Sequence, residues 1–143
     1  MVARIKLKNN IIEVEGKAYS ATQMVFKGVF TGRLLLSREK VEGFLDASGE
    51  VGVFIEDEWV FVEGGFNPGS LVKSISIHET PGSLLVLAGG RRLKSSEALL
   101  ELDNARVVVN LTLHPLNLTA ALENPSLEVS RKAFTTVIKI KSL

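Results

Sequence analysis

The sequence predicts a mainly β protein: an antiparallel sandwich or partly open barrel built from hairpins, with one or two short helices. Three observations lead to this class. Apolar and polar residues alternate over many short stretches, which is the side-chain period of a strand. Turn-forming residues separate these stretches at short intervals, as they do in hairpins. The stretch 50–65 is apolar on both faces, which is typical of central strands that are covered on both sides.

The 143 residues are enough for one domain and few for two. The chain contains no cysteine, which excludes disulfides, thiolate nucleophiles and cysteine-ligated metals. No apolar run approaches the roughly 18 residues of a membrane-spanning helix, and the N-terminus lacks the hydrophobic core of a signal peptide. We therefore expect a single β-rich domain over residues 1–143, cytoplasmic and without membrane contact.

The first hairpin is predicted over residues 2–15, with Asn9-Asn10 as a two-residue turn. Asparagine tolerates the positive φ that such a turn requires. In this register one face is apolar and the other pairs opposite charges. Residues 24–30 follow as a strand weakened by Gly28, and residues 34–36 form a short buried strand.

One short helix is predicted from Arg38 to Ala47. Ser37 can cap its first turn, and Val41, Phe44 and Leu45 would share one apolar face. A helix this short depends on tertiary packing.

The central hairpin, residues 50–65, is predicted to turn at Glu56-Asp57. In that register Phe54 faces Trp59, and Phe61 lies on the same face. This aromatic face could pack against another subunit, together with an aromatic residue of the following loop. The residues of this candidate interface are Phe54, Trp59, Phe61 and Phe66.

Further hairpins are predicted in the second half of the chain. Leu71 to His78 and Ser83 to Ala88 flank Pro81-Gly82, a favourable turn pair. Ala98 to Leu111 fits another hairpin, around Asp103-Asn104.

Two stretches are open between helix and strand. Ser95 to Leu102 has helical propensity, but the residues after it favour a strand, which is the preferred interpretation. Leu116 to Glu123 fits one helical turn or a short strand. Residues 127–129 and 133–140 close the chain as strands, the second with lysines typical of a protected edge.

The net charge is +1, but the charges are unevenly distributed. Residues 1–40 contain eight Lys or Arg and three Glu, whereas residues 41–70 contain seven acidic residues and no basic one. Acidic and basic sides that are separate in space would steer a charged partner. A solvated acidic turn would account for the same numbers.

A loop of two glycines and three basic residues is a candidate anion or nucleic-acid site. Gly89 and Gly90 would let backbone amides approach an anion, and Arg91 and Arg92 could fork onto phosphate or carboxylate oxygens, with Lys94 adding charge. The alternative is a solvated loop between two strands.

The sequence contains no recognisable catalytic constellation. His78 and His114 lack a metal-binding spacing, and neither a nucleophile elbow nor a phosphate-binding glycine motif occurs. Ser37 precedes Lys40 by three residues, but it is interpreted as a helix cap. We expect no catalytic residues, no metal and no cofactor.

The sequence therefore favours a non-enzymatic interaction or assembly module. Its partner would be itself, in a homo-oligomer, or another protein in a larger complex. The first alternative is a nucleic-acid-binding β-barrel that uses the Gly-Gly-Arg-Arg loop, and the second is a small-ligand or enzymatic barrel with a pocket near His78 and Glu79.

Overall fold

The computed structural model describes residues 2–67, 69, 71, 73–123 and 125–142, and for Val2 only the backbone. This part of the chain forms thirteen strands in one sheet and contains no helix. The strands are β1 (Val2–Lys8), β2 (Ile11–Val14), β3 (Lys17–Ser20), β4 (Gln23–Ser37), β5 (Val41–Ile55), β6 (Glu58–Glu63), β7 (Lys73–Thr80), β8 (Ser83–Ala88), β9 (Arg91–Ser95), β10 (Glu97–Thr112), β11 (Asn117–Leu122), β12 (Pro125–Lys132) and β13 (Thr135–Ser142).

The mainly β, antiparallel class is confirmed. Within the described residues every strand pairing is antiparallel except the parallel pair of β10 and β13. Val72, inside the strand predicted from Leu71 to His78, lies outside the described residues, and β7 begins at Lys73. The predicted short helices are wrong.

Three long strands, β4, β5 and β10, divide the sheet into two branches that share them. The first half of β5 pairs with β1 and its second half with β6. The first half of β10 pairs with β13 and its second half with β11. The first branch has the order β3-β2-β1-β5-β4-β10-β13-β12, and the second branch has the order β6-β5-β4-β10-β11-β7-β8-β9.

One face of the sheet carries a continuous apolar core. Along β4 the buried residues recur at every second position, as in Met24, Phe26, Leu34 and Leu36. The core cluster includes residues of both branches. A buried hydroxyl hydrogen bond also joins two strands that are not neighbours, through Ser95 of β9 and Thr136 of β13.

The region predicted as a helix, Arg38 to Ala47, instead contains the start of β5. Val41, Leu45 and Ala47 are buried, whereas Phe44 is exposed, so the pattern follows a period of two. Gly43 explains the tight pairing with β4, because a Cβ there would overlap the backbone carbonyl oxygen of Arg33. The apolar residues taken as one helical face therefore belong to opposite faces of a strand.

The hairpin predicted around Asp103-Asn104 is also wrong, since β10 runs straight through both residues. Its register with β4 shifts between Leu102 and Ala105. The buried face changes from even to odd positions at this bulge, and both polar residues are exposed. The open alternatives resolve to strand: Ser95 to Leu102 contributes to β9 and β10, and Leu116 to Glu123 contains β11.

Three predicted turns are confirmed: Asn9-Asn10, Glu56-Asp57 and Pro81-Gly82. β1 and β2 pair with Leu7 opposite Ile12, as an Asn9-Asn10 turn requires. β7 and β8 pair with Thr80 opposite Ser83, which leaves Pro81-Gly82 as the turn.

Candidate interaction site

The β5–β6 hairpin presents an exposed tryptophan at the edge of the second branch. Glu56 and Asp57 form its turn with φ of 48° and 69°, and Phe54 lies opposite Trp59, as predicted. The two rings pack edge to face with centroids 5.1 Å apart and an interplanar angle of 66°. Trp59 nevertheless remains 51 % exposed.

Two further neighbours fix the position of the Trp59 ring. Gly52 leaves space beneath it, because a Cβ at that position would lie 2.7 Å from a carbon of the ring. The Lys27 ammonium lies 5.2 Å from the ring centroid, in cation–π range. Val62 lies opposite Gly52 and is 57 % exposed. We call Lys27, Phe54, Trp59 and Val62 the Trp59 surface.

A bulge separates the aromatic residues of the predicted interface. The register shifts between Phe54 and Val53, so that Val53 pairs with Phe61. Phe61 therefore packs against the core, on the opposite face from Trp59. Phe66 contacts Arg106 of β10 instead, with the guanidinium 4.4 Å from its ring centroid. The structure brings together Phe54 and Trp59 only.

The Glu56 carboxylate anchors the hairpin turn to the connection between β3 and β4. The backbone N–H of Thr22 donates to Glu56 Oε1 at 2.6 Å, and its hydroxyl donates at 3.1 Å. The backbone N–H of Gln23 donates to the same oxygen at 3.3 Å. These hydrogen bonds, that of the Thr22 backbone foremost, lower the pKa of Glu56 below its usual range. The turn is thus held by an ionised carboxylate.

The outer edge of β6 is unpaired within the described sheet, and its surroundings are acidic. β6 pairs with β5 alone. Glu58 and Glu63 form its two ends, and Glu56 and Asp57 precede it. An unpaired strand edge offers a row of backbone donors and acceptors to an incoming strand.

The basic Gly-Gly-Arg-Arg loop forms a turn and a second strand edge. Gly89 and Gly90 have φ of 56° and 74° and connect β8 to β9. Arg91 donates from Nη1 to the carbonyl of Val129 in β12 at 2.9 Å. Because strand side chains alternate, Arg92 extends from the opposite face of β9.

The predicted anion site is therefore divided between two faces. Arg92 and Lys94 share the outer face, opposite Leu87 and Leu85 respectively, and both are exposed. Arg91 lies on the other face, so the two arginines do not converge on one oxyanion. In the described part of the sheet β9 pairs with β8 alone, so the outer edge of β9 is unpaired as well.

The polar groups near Glu79 are engaged with one another. Glu79 Oε1 accepts a hydrogen bond from the backbone N–H of Leu116 at 2.7 Å, and Oε2 lies 3.7 Å from Arg38 Nε. His114 borders the same cleft of about 510 Å³. His78 lies opposite Asn117 in the neighbouring strand, on the other side of β7 from Glu79. Among the described residues no group of three or more His, Asp and Glu could hold a metal ion.

A groove of about 790 Å³ on the outer face of β1, β2 and β5 was not anticipated. Ile11 and Phe44 provide exposed apolar walls, and Lys6 and Lys8 lie between them. The sequence interpretation missed the groove because it placed Phe44 on a buried helix face. Because this segment is a strand, the Phe44 side chain points outward.

Compared with protein-family models, with curated proteins and with solved structures, the chain matches none. No helix in the described residues is long and apolar enough to cross a membrane.

Proposed function

We propose that the protein is a non-enzymatic assembly module, copies of which associate through the Trp59 surface. One observation carries the proposal: Trp59 is half exposed, yet three neighbours hold its ring in place. Tryptophan is among the residues that contribute most to protein interfaces. A side chain that is already ordered loses little further conformational entropy on binding.

The exposed apolar area of Trp59 and Val62 supports the same function. A buried tryptophan removes about 150–250 Å² from water, and Val62 adds a second exposed apolar side chain on the same strand. The unpaired edge of β6 would add backbone hydrogen bonds. We also propose that the sheet folds over its core as a sandwich, so that outer faces and edges are the places where contacts form.

Light scattering at two protein concentrations and two salt concentrations tests the proposal. We expect a mass above that of the monomer, rising with concentration. Because Trp59 is the only tryptophan of the chain, its fluorescence emission should shift to shorter wavelength as the complex forms. A monomer at every concentration, with unchanged emission, would refute the assembly function.

A matched pair of variants assigns the contact to Trp59. Trp59→Ala should weaken association about ten-fold or more, as removal of an interface anchor does. Ile11→Ala is the control, because Ile11 is 46 % exposed and lies on β2 in the first branch, away from the Trp59 surface. Equal effects of both variants would argue against the assignment.

Recording absorbance at 260 and 280 nm reports nucleic acid that copurifies with the protein. Nucleic acid that is released by salt would favour the nucleic-acid alternative.

A further inference from the structure

We infer that the copies associate head to tail, with the acidic edge β6 of one copy pairing with the basic edge β9 of the next. This inference rests on the proposed assembly function and specifies its partner surface. β6 and β9 are the two terminal strands of the eight-stranded second branch. Each therefore offers its outer edge at an opposite end of the same sheet.

The strand directions fit this arrangement. The seven pairings that connect β6 to β9 are all antiparallel, so β6 and β9 run in opposite directions. A second copy placed beside the first brings its β6 antiparallel to β9. The antiparallel alternation of strand directions then continues from one copy into the next.

The register of the sheet also fits. A single row of directly paired residues on the outer face begins at Trp59 and ends at Arg92. Its members are Trp59, Phe54, Val25, Asn110, Thr119, Ser76, Leu87 and Arg92. Continued into the next copy, this row sets Trp59 beside Arg92. In the same register the turn residue Asp57, which directly precedes β6, comes close to Lys94.

These two pairs are chemically complementary. An arginine guanidinium over an indole ring gains a cation–π interaction, and Arg92 is exposed beside Leu87, which is itself 36 % exposed. Asp57, in the turn before β6, and Lys94 carry opposite charges, which attract each other at this end of the contact. Lysine on an edge strand discourages pairing with most strands, and an acidic partner removes that obstacle.

Symmetric pairing of like edges is disfavoured by charge. A two-fold β6–β6 pairing over the full strand sets Glu58 opposite Glu63 of the other copy. A two-fold β9–β9 pairing over Arg91–Ser95 sets Arg92 opposite Lys94. Like charges directly opposite each other destabilise a strand pair. Charge therefore selects the heterologous contact, which forms a ring when its rotation closes and a filament when it does not.

Two double variants, each with one of the two edges blocked, distinguish the head-to-tail contact from the alternatives. Trp59→Ala/Val62→Ser blocks β6 and leaves β9 intact, and Arg92→Glu/Lys94→Glu blocks β9 and leaves β6 intact. Each variant alone should remain monomeric at concentrations where the unaltered chain associates. An equimolar mixture should form a dimer with one copy of each variant and nothing larger, because one intact edge of each kind is available.

Lys6→Glu/Lys8→Glu is the matched charge control, since both residues are exposed on β1 of the first branch and have the same spacing as Arg92 and Lys94, and it should associate like the unaltered chain. Circular dichroism checks that the variants fold. If Arg92→Glu/Lys94→Glu does not fold, Arg92→Gln/Lys94→Gln takes its place. If the unaltered chain is monomeric throughout, both the assembly function and the inference fail. If it associates while the β9-blocked variant still self-associates, or while the mixture stays monomeric, the inference alone fails.

Discussion

At the scale of single residues, the candidate site depends on small details that place one indole ring. The pairing of Phe54 with Trp59 could be predicted from the turn position, and the structure confirms it. The displacement of Phe61 to the core face could not, because a bulge adds one residue without a distinctive sequence. Local patterning therefore located the tryptophan, but not the set of side chains around it.

Gly52→Ala tests the placement of the ring. The added methyl would lie 2.7 Å from a ring carbon of Trp59, so the ring must move away from Phe54 and Lys27. We expect a changed emission maximum and lower fluorescence anisotropy of Trp59, with the fold retained. Thr119→Ala, in the same row of the sheet but remote from Trp59, should leave both unchanged. An unaltered emission spectrum in Gly52→Ala would contradict the described contact.

The Glu56 carboxylate makes the stability of the fold depend on pH in a known direction. Its pKa in the folded chain is lowered from the usual 4.5 by hydrogen bonds from Thr22. Its stabilising effect is therefore fully present above about pH 4.5 and is lost as the pH falls through the lowered pKa. Glu56→Gln should reduce the melting temperature at pH 7, and this difference should shrink towards pH 3.

Thermal unfolding of Glu56→Gln and Glu58→Gln at both pH values makes the comparison. Glu58 lies next to the same turn and is exposed, so its variant controls for the loss of one negative charge. A Glu56→Gln difference that grows on acidification would exclude this role of the carboxylate.

At the scale of elements, the errors of prediction have a common cause. A polar pair such as Asp103-Asn104 interrupts an apolar pattern equally in a hairpin turn and in a bulge. The choice depends on β4, which pairs with β10 on both sides of the interruption. Likewise, nothing in the sequence around Gly43 shows that the backbone of another strand lies against it. Local sequence cannot contain information held by a strand that is distant along the chain.

Gly43→Ala should be strongly destabilising for this reason. A methyl group there overlaps the backbone of β4, which cannot move without breaking its own pairings. Overpacking of this kind costs about 1–3 kcal/mol of unfolding free energy. Chemical denaturation gives the value, and Gly52→Ala, whose methyl meets only a side chain, is the control. Equal stability of Gly43→Ala and the unaltered chain would mean that β4 and β5 are farther apart.

At the scale of the whole molecule, the basic stretch 1–40 and the acidic stretch 41–70 do not form separate sides, because β1 and β4 pair directly with β5 and ion pairs join Arg4 to Asp46 and Lys40 to Glu42. The acidic stretch 41–70 includes β6, at one end of the second branch, and the basic residues of β9 lie at the other end. Composition gave the imbalance but not its geometry, because strand order is set by long-range pairing. The predicted contact of the protein with itself remains a proposal.

Hydrogen exchange should resolve this organisation. The amides of β4, β5 and β10 should exchange slowest, since these strands are flanked on both sides along most of their length. The amides of β6 and β9 should exchange fast in dilute solution and slow down together as concentration rises. Protection of β6 without β9 would contradict the head-to-tail contact, and β3, an edge strand of the first branch, provides the internal reference.

The row of eight paired residues from Trp59 to Arg92 also sets a length. Neighbouring strands lie about 4.8 Å apart, so each added copy would lengthen a continuous sheet by at most about 38 Å along its surface. Strands also rotate by roughly 20–25° from one to the next, so each copy would be rotated relative to the one before it. An extended assembly would therefore have a regular axial repeat, measurable as a periodicity in electron micrographs.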